Sequence, residues 1–224
     1  MEDEKSILSL PYSNLKQIPT VKEEVQSIIL YHNKITSIRM TYLPNVHSLD
    51  LSDNLITTIQ DLENLPNLRT LDLGYNLLTQ IQNLSFLPLT DLFLMCNDIE
   101  RIENLGIPSL KNLDLACNNI TKIENLTCIN LEELYLGNNR IRTVENVEHL
   151  SKLHTLSLQC NCIQRIDCLK LPKNLKYLLL DGNEKLQELE NLECLRKLEY
   201  LDVSKTKVKE HDISEREGLD VVFA

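Results

Sequence analysis

Residues 110–130 read LKNLDLACNNITKIENLTCIN, and the next stretch, 131–152, starts the same pattern again as LEELYLGNNRIRTVENVEHLSK. Both fit one unit, Lxx-L-x-L-xx-N-x-I-xx-I. Working outward, further clear copies begin at Val46 (VHSLDLSDNLITTI), Leu68 (LRTLDLGYNLLTQI) and Leu89 (LTDLFLMCNDIERI). Others begin at Val25, Leu153, Leu175 and Leu198, and a ragged first copy around Leu8, Leu10, Leu15 and Ile18 makes about ten units. From Val25 onward the copies start 21, 22, 21, 21, 21, 22, 22 and 23 residues apart. A period this regular over most of a chain is the signature of a stacked repeat array.

The L-x-L core alternates with period two, so it is expected to be a short strand with its leucines on one face. One unit cannot bury that face alone, whereas stacked units build a parallel sheet over one continuous apolar core. The rest of each unit must return the chain along the other side. With about 21 or 22 residues to a repeat there is room for a 3₁₀ or single helical turn but no long helix. The expected fold class is therefore an α/β solenoid whose strand side, being the tighter-packed one, lines a concave surface.

Asn33, Asn54, Asn76, Asn97, Asn118, Asn139, Asn161 and Asn183 fall at one step of eight successive units. An amide both donates and accepts, so a stack of them can satisfy backbone that turns inside the core. We read them as scaffold. The first unit has Ser13 at this step and the last has Thr206. The charged segment beyond Val208 breaks the pattern. The chain reads as one repeat domain over 1–224, with a degenerate repeat or cap at 1–24, regular repeats at 25–206 and a cap or tail at 207–224. A one-residue insertion at Glu184-Lys185 is expected to bulge on the return side.

Composition narrows the function. The chain holds 45 Leu and 22 Asn but only 5 Gly and no Trp, as copying of one short unit would give. The net charge of −10 argues against a nucleic-acid backbone or an anionic membrane as the main partner. No apolar run approaches the roughly 18 residues of a membrane span. The acidic start MEDEKSILSLPYS does not resemble a secretory signal. Seven Cys, an odd number, then read as reduced thiols, and the expected location is nuclear or cytoplasmic, or both. Cys96, Cys117 and Cys160 share one step of the repeat, which makes them structural, and a single Cys160-x-Cys162 is a poor zinc motif.

Little points to catalysis. The five His form no HExxH, and neither GxSxG nor GxxxxGK[ST] occurs. The acids recur with the unit, as on a solvated face. We expect no enzyme, no cofactor and no metal site.

The informative positions are the strand residues that point away from the core. Between the paired leucines stand Ile29, Asp50, Asp72, Phe93, Asp114, Tyr135, Ser157, Leu179 and Asp202. Two residues earlier the column runs Ser27, Ser48, Thr70, Asp91, Asn112, Glu133, Thr155, Tyr177, Tyr200, and two residues later Tyr31, Ser52, Gly74, Met95, Ala116, Gly137, Gln159, Asp181, Ser204. These 27 positions carry seven acids and no Lys or Arg, where a random draw from this composition would place two or three basic residues. The face is expected to be acidic, with exposed rings at Phe93, Tyr135, Tyr177 and Tyr200. That combination suits a basic protein partner. An Asp between two leucines is also what a merely soluble filler looks like.

The unit and its connector (Ile102-Glu-Asn-Leu105, Ile123-Glu-Asn-Leu126, Val144-Glu-Asn-Val147) resemble the 22-residue subclass of leucine-rich repeats. Within it, the outward column is similar to that of the leucine-rich regulatory subunits of type-1 protein phosphatase (the sds-twenty-two-like family). Asp72, Phe93, Asp114, Tyr135 and Ser157 match that family's order, Leu179 departs where the family has an aromatic, and Asp202 matches again. The resemblance implies a non-catalytic regulatory subunit, a monomer when free, that grips the phosphatase catalytic subunit through Asp72, Phe93, Asp114, Tyr135 and Asp202. The charge and ring pattern adds Asp50, Glu133, Tyr177 and Tyr200. The family's later Trp, further Tyr and Tyr-Arg cap are absent, so the chain looks like a member shortened at the C-terminus. The alternative is a leucine-rich adaptor of another intracellular assembly, similar to a dynein light chain or a small ribonucleoprotein subunit.

Overall fold

The computed structural model of the protein describes residues 6–213 and 217–223. It contains thirteen strands of three residues each: β1 (Ile7–Ser9), β2 (Ser27–Ile29), β3 (Ser48–Asp50), β4 (Thr70–Asp72), β5 (Asp91–Phe93), β6 (Asn112–Asp114), β7 (Glu133–Tyr135), β8 (Thr155–Ser157), β9 (Arg165–Asp167), β10 (Tyr177–Leu179), β11 (Glu188–Glu190), β12 (Tyr200–Asp202) and β13 (Asp220–Val222). Eleven of them form one sheet in the order β1-β2-β3-β4-β5-β6-β7-β8-β10-β12-β13. Every pairing is parallel and places equivalent repeat positions side by side, as in Leu92↔Leu113 and Leu113↔Leu134. The array is a parallel-strand solenoid.

The inward leucines build the core. In the repeat that starts at Leu110, the residues Leu110, Leu113, Leu115, Ile120, Ile123 and Leu126 are all buried. Each such side chain stabilises the fold by about 1.5–3 kcal/mol through lost apolar exposure. Only neighbouring repeats can supply that burial, so the units hold one another up.

The asparagines at the repeated step work as a ladder. Asn118 Oδ1 accepts the Ile99 N–H of the preceding repeat at 3.0 Å, while its Nδ2 donates to the carbonyls of Leu94, Leu115 and Ala116 at 3.0, 3.1 and 3.1 Å. The same pattern runs from Asn54 to Asn161, and Asn183 keeps it with two donated bonds. At the far end Thr206 turns inward on its own repeat, donating to the Val203 carbonyl at 2.6 Å and accepting from Val208 N–H at 3.2 Å.

A second ladder, on the return side, belongs to the asparagine of the IENL connector. Asn83, Asn104, Asn125 and Asn146 each sit at positive φ and donate to a carbonyl of the preceding repeat, at Ile59, Ile81, Ile102 and Ile123. Asn tolerates the left-handed region, which lets the chain turn there without glycine.

The return side holds short 3₁₀ turns at Leu62–Asn64, Cys168–Lys170, Leu192–Cys194 and Glu210–Asp212, and no α-helix is present among the described residues. It also carries a feature the repeat period did not suggest. Strands β9 and β11 pair into a separate two-stranded parallel sheet on that side. The insertion at Glu184-Lys185 lies in a turn closed by Leu186 N–H to the Asn183 carbonyl at 2.9 Å. Beyond the last regular repeat, β13 adds one more parallel strand beside β12. Val208 and Ile213 are buried there, with Leu219, Val221 and Phe223 packed against the core. Parts of the two segments read as caps, at 1–5, 214–216 and 224, lie outside the described residues.

Candidate protein-binding face

The first and third residues of each three-residue strand point away from the leucine core. The main-sheet register sets Asp50 beside Asp72, Asp72 beside Phe93, Phe93 beside Asp114 and Asp114 beside Tyr135. Neighbouring strands stand about 4.8 Å apart, so these side chains form one contiguous row. Asp202 lies further along, two strands beyond Ser157, with Leu179 between them.

The rings are less open than the sequence suggested. Tyr177 is exposed, at 41%, but Phe93, Tyr135 and Tyr200 are half-buried. At one strand spacing, adjacent side chains cover the flanks of a ring and leave its outer edge accessible. Tyr177 and Tyr200 sit in register in the first column, beside Leu179 and Asp202 in the next. They place two rings near the position where Leu179 stands instead of an aromatic.

Each acid between the paired leucines also has a local task. One carboxylate oxygen accepts the backbone N–H two residues on: Ser52 for Asp50 at 3.0 Å, Gly74 for Asp72 at 2.8 Å, Ala116 for Asp114 at 2.8 Å and Ser204 for Asp202 at 2.9 Å. These bonds satisfy the strand exits. A Cβ at Gly74 would stand 3.2 Å from both Asp72 Oδ1 and Met95 Cγ, so the missing side chain lets the carboxylate settle there.

The same packing perturbs the acids. Burial pushes the Asp72 carboxyl up to about 6, against the Gly74 N–H that lowers it, with the Asp50 and Asp114 charges adding to the rise. Burial likewise raises Asp114, opposed by the Ala116 N–H. A partly desolvated carboxylate gains more from a cation than a fully solvated one does. Tyr135 donates its hydroxyl to Glu133 at 2.6 Å. Burial first, then that bond and the Glu133 and Asp114 charges, push its hydroxyl up to about 12. Glu133 and Tyr135 thus act as one unit.

Two acids of the outer columns differ from the expected set. Asp91 is occupied by its neighbours, accepting from Thr90 at 2.6 Å and from the Asn112 amide. Asp181 had no place among the nominated contacts, yet its Oδ1 is buried and without a hydrogen-bond partner among the described residues. Only its position in the third column, in LLLDGN, marks it in the sequence. Among the described residues, no group of three or more His, Cys, Asp or Glu side chains is placed to hold a metal ion.

Two family descriptions match this chain: "Leucine Rich repeats (2 copies)" over residues 23–64, 44–86 and 129–171, and "Leucine Rich repeat" over 106–122, together more than half of its length. The chain belongs to the leucine-rich repeat family. No curated protein matches it in sequence at a significant level. This leucine-rich repeat array is similar to an internalin (inlF) of Listeria monocytogenes, with TM-score 0.74 and 24% identity over 89% of this chain and 61% of that one. It is also similar to human 5T4 (Wnt-activated inhibitory factor 1, trophoblast glycoprotein), with TM-score 0.66 and 19% identity over 81% of this chain and 78% of that one. YopM of Yersinia enterocolitica gives TM-score 0.61 and 19% identity over 97% and 64%. The chain therefore spans less than two thirds of the length of the internalin and of YopM. At these identities the likeness is one of fold. Leucine-rich repeat solenoids are in general non-catalytic scaffolds whose extended inner surface binds other proteins.

Proposed function

We propose that this leucine-rich repeat protein is a non-catalytic regulatory subunit of the type-1 serine/threonine protein phosphatase, docking on the catalytic subunit through its acidic and aromatic sheet face. The observation that carries the reading is the unbroken row Asp72, Phe93, Asp114, Tyr135, set side by side by the strand register. A ring standing between two carboxylates is suited to a basic side chain whose stem packs on the ring and whose charge reaches an acid. Asp50, Glu133, Tyr177, Tyr200 and Asp202 widen the contact on either side. Regulation would come from holding the enzyme in one conformation or assembly, in the nucleus or cytoplasm.

Titration calorimetry against purified catalytic subunit, at low and moderate salt, tests the reading. Saturable binding that weakens with salt and with Phe93→Ala supports both the partner and the face. Absence of binding at both salts overturns the phosphatase reading and turns attention to another intracellular assembly.

A further inference from the structure

Along β10 and its exit the outward residues are Tyr177, Leu179 and Asp181, a ring, an apolar floor and an acid in line. Asp181 is the only acid among the nine residues of the third column. It also behaves unlike the acids between the paired leucines. Where Asp202 holds the Ser204 N–H at 2.9 Å, the Asp181 Oδ1 is buried with no partner, and its carboxylate enters no hydrogen bond or ion pair among the described residues. Its column neighbours are engaged elsewhere. Gln159 takes the Ser157 hydroxyl at 2.8 Å, and the Ser204 N–H is committed to Asp202.

Negative charge gathers around this point without a matching cation. Tyr200 stands in register between Tyr177 and Asp220, and Asp202 between Leu179 and Val222. Burial, then the Asp202, Asp220 and Asp181 charges, raise the Tyr200 hydroxyl, so all three carboxylates lie within electrostatic reach of that ring. None of the three enters an ion pair among the described residues. Lys176, just before Tyr177, is paired with Glu199 at 2.9 Å. Lys205, just after Ser204, is exposed and enters no ion pair among the described residues.

We propose that Tyr177, Leu179, Asp181 and Asp202 form a subsite for an arginine side chain of the docked protein, its stem on Leu179 and the Tyr177 ring and its guanidinium on the carboxylates. The inference rests on the docking reading for the identity of the partner, not for the chemistry of the site. A long basic side chain covers apolar surface with its stem while its head meets an acid. Tyr177 is the most open of the four rings and offers a surface to stack on. Guanidinium suits the place better than ammonium, being planar, weakly hydrated, able to stack on a ring and able to give donors to more than one carboxylate. The terminal torsion of an Asp side chain is broad and two-fold, so a turn about Cβ–Cγ brings the orphaned oxygen out to an arriving donor. That donor replaces the hydration which burial has removed.

The test is an NMR titration of the full chain, labelled with carbon-13, with the peptide acetyl-Gly-Arg-Gly-amide and its Lys counterpart at matched ionic strength. The arginine peptide should shift the Tyr177 and Tyr200 ring signals and the Asp181 carboxyl carbon saturably, and bind more tightly than the lysine peptide. Asp181→Asn should weaken the arginine peptide about fivefold, the scale of one partly exposed ion pair, while Glu188→Gln on the return side should not. Shifts spread equally over Asp50, Asp72 and Asp181, no saturation, or equal affinity for the two peptides would overturn the assignment. The wild-type shift map decides the matter even where a variant fails to fold. Calorimetry with the phosphatase catalytic subunit separates the two readings. A chain that takes the arginine peptide but not the catalytic subunit keeps the site and loses the partner; one that binds the catalytic subunit but shows no arginine-dependent shift keeps the partner and loses the site.

Discussion

The Asp72 carboxylate accepts the Gly74 backbone N–H at 2.8 Å, and Asp114 and Ala116 repeat the relationship at 2.8 Å two repeats along. Each acid thus uses one oxygen to finish its own strand and keeps the other for the open face. The structural role and the proposed docking role are not alternatives for these residues, and substitutions can separate them. Asp72→Asn keeps an oxygen that accepts from Gly74 while removing the charge; Asp72→Ala removes both. In thermal unfolding at neutral pH, Asp72→Ala should lose about 1 kcal/mol, and Asp72→Asn should lose nothing or gain. Both should weaken binding to a basic partner.

The raised Asp72 pKa, about 6 against an ordinary 3.8, also makes stability depend on pH. Between those values the folded chain holds a proton that the unfolded chain releases. The stability that this group contributes is therefore complete below about pH 4 and is lost as pH rises through about 6. Urea unfolding across that window should show wild type losing stability relative to Asp72→Asn as pH rises. Parallel pH profiles would mean the carboxyl is not desolvated.

The fold was legible because the signals repeat: a single L-x-L would be ambiguous, but ten in register leave one way to bury the leucines. The asparagine ladder could be read for the same reason, since Asn54 through Asn183 recur at one step. What stayed hidden does not repeat. Strands β9 and β11 depend on Ile166 and Leu189 meeting on the return side, a pairing specific to two repeats. The connector asparagines were visible as a motif, but their bonds to the preceding repeat could not be read without knowing that the turn there has positive φ. The openness of Phe93 and Tyr135 was overestimated because the alternating pattern says which way a side chain points and nothing of how closely its neighbours stand.

The ladder itself should be costly to break. Asn118→Ala would strip a buried acceptor from Ile99 N–H and a donor from three carbonyls. The Leu94, Leu115 and Ala116 carbonyls keep other donors in Asn97, Asn139 and Cys96 N–H, so Ile99 N–H is the group left unpaired, and chemical denaturation should show a loss of about 1–3 kcal/mol. Asn33→Ala, at a half-buried site near the array's start, should lose less because solvent can reach its partners. Equal losses would mean that burial does not set the worth of each rung.

Core and face residues of adjacent columns should separate in the same way. Leu115 is fully buried, and Leu115→Ala should cost about 2–5 kcal/mol of stability as a cavity. Phe93→Ala with Tyr135→Ala should instead leave the array folded while weakening partner binding by about 2 kcal/mol or more. Calorimetric binding and circular dichroism on the same samples distinguish the two. A double variant that binds as wild type does would remove these rings from the site.

Asp181 offers the sharpest conflict between stability and function. A buried carboxylate oxygen with no partner destabilises the free protein, since its lost hydration is not replaced. Asp181→Ala should therefore unfold at the same or a higher urea concentration than wild type. If the orphaned oxygen awaits a donor from the docked protein, the same variant should bind more weakly, with most of the loss in the dissociation rate because the bond forms only in the closed complex. Raised stability together with unchanged dissociation would place Asp181 outside the interface and confine the docking face to the repeats before it.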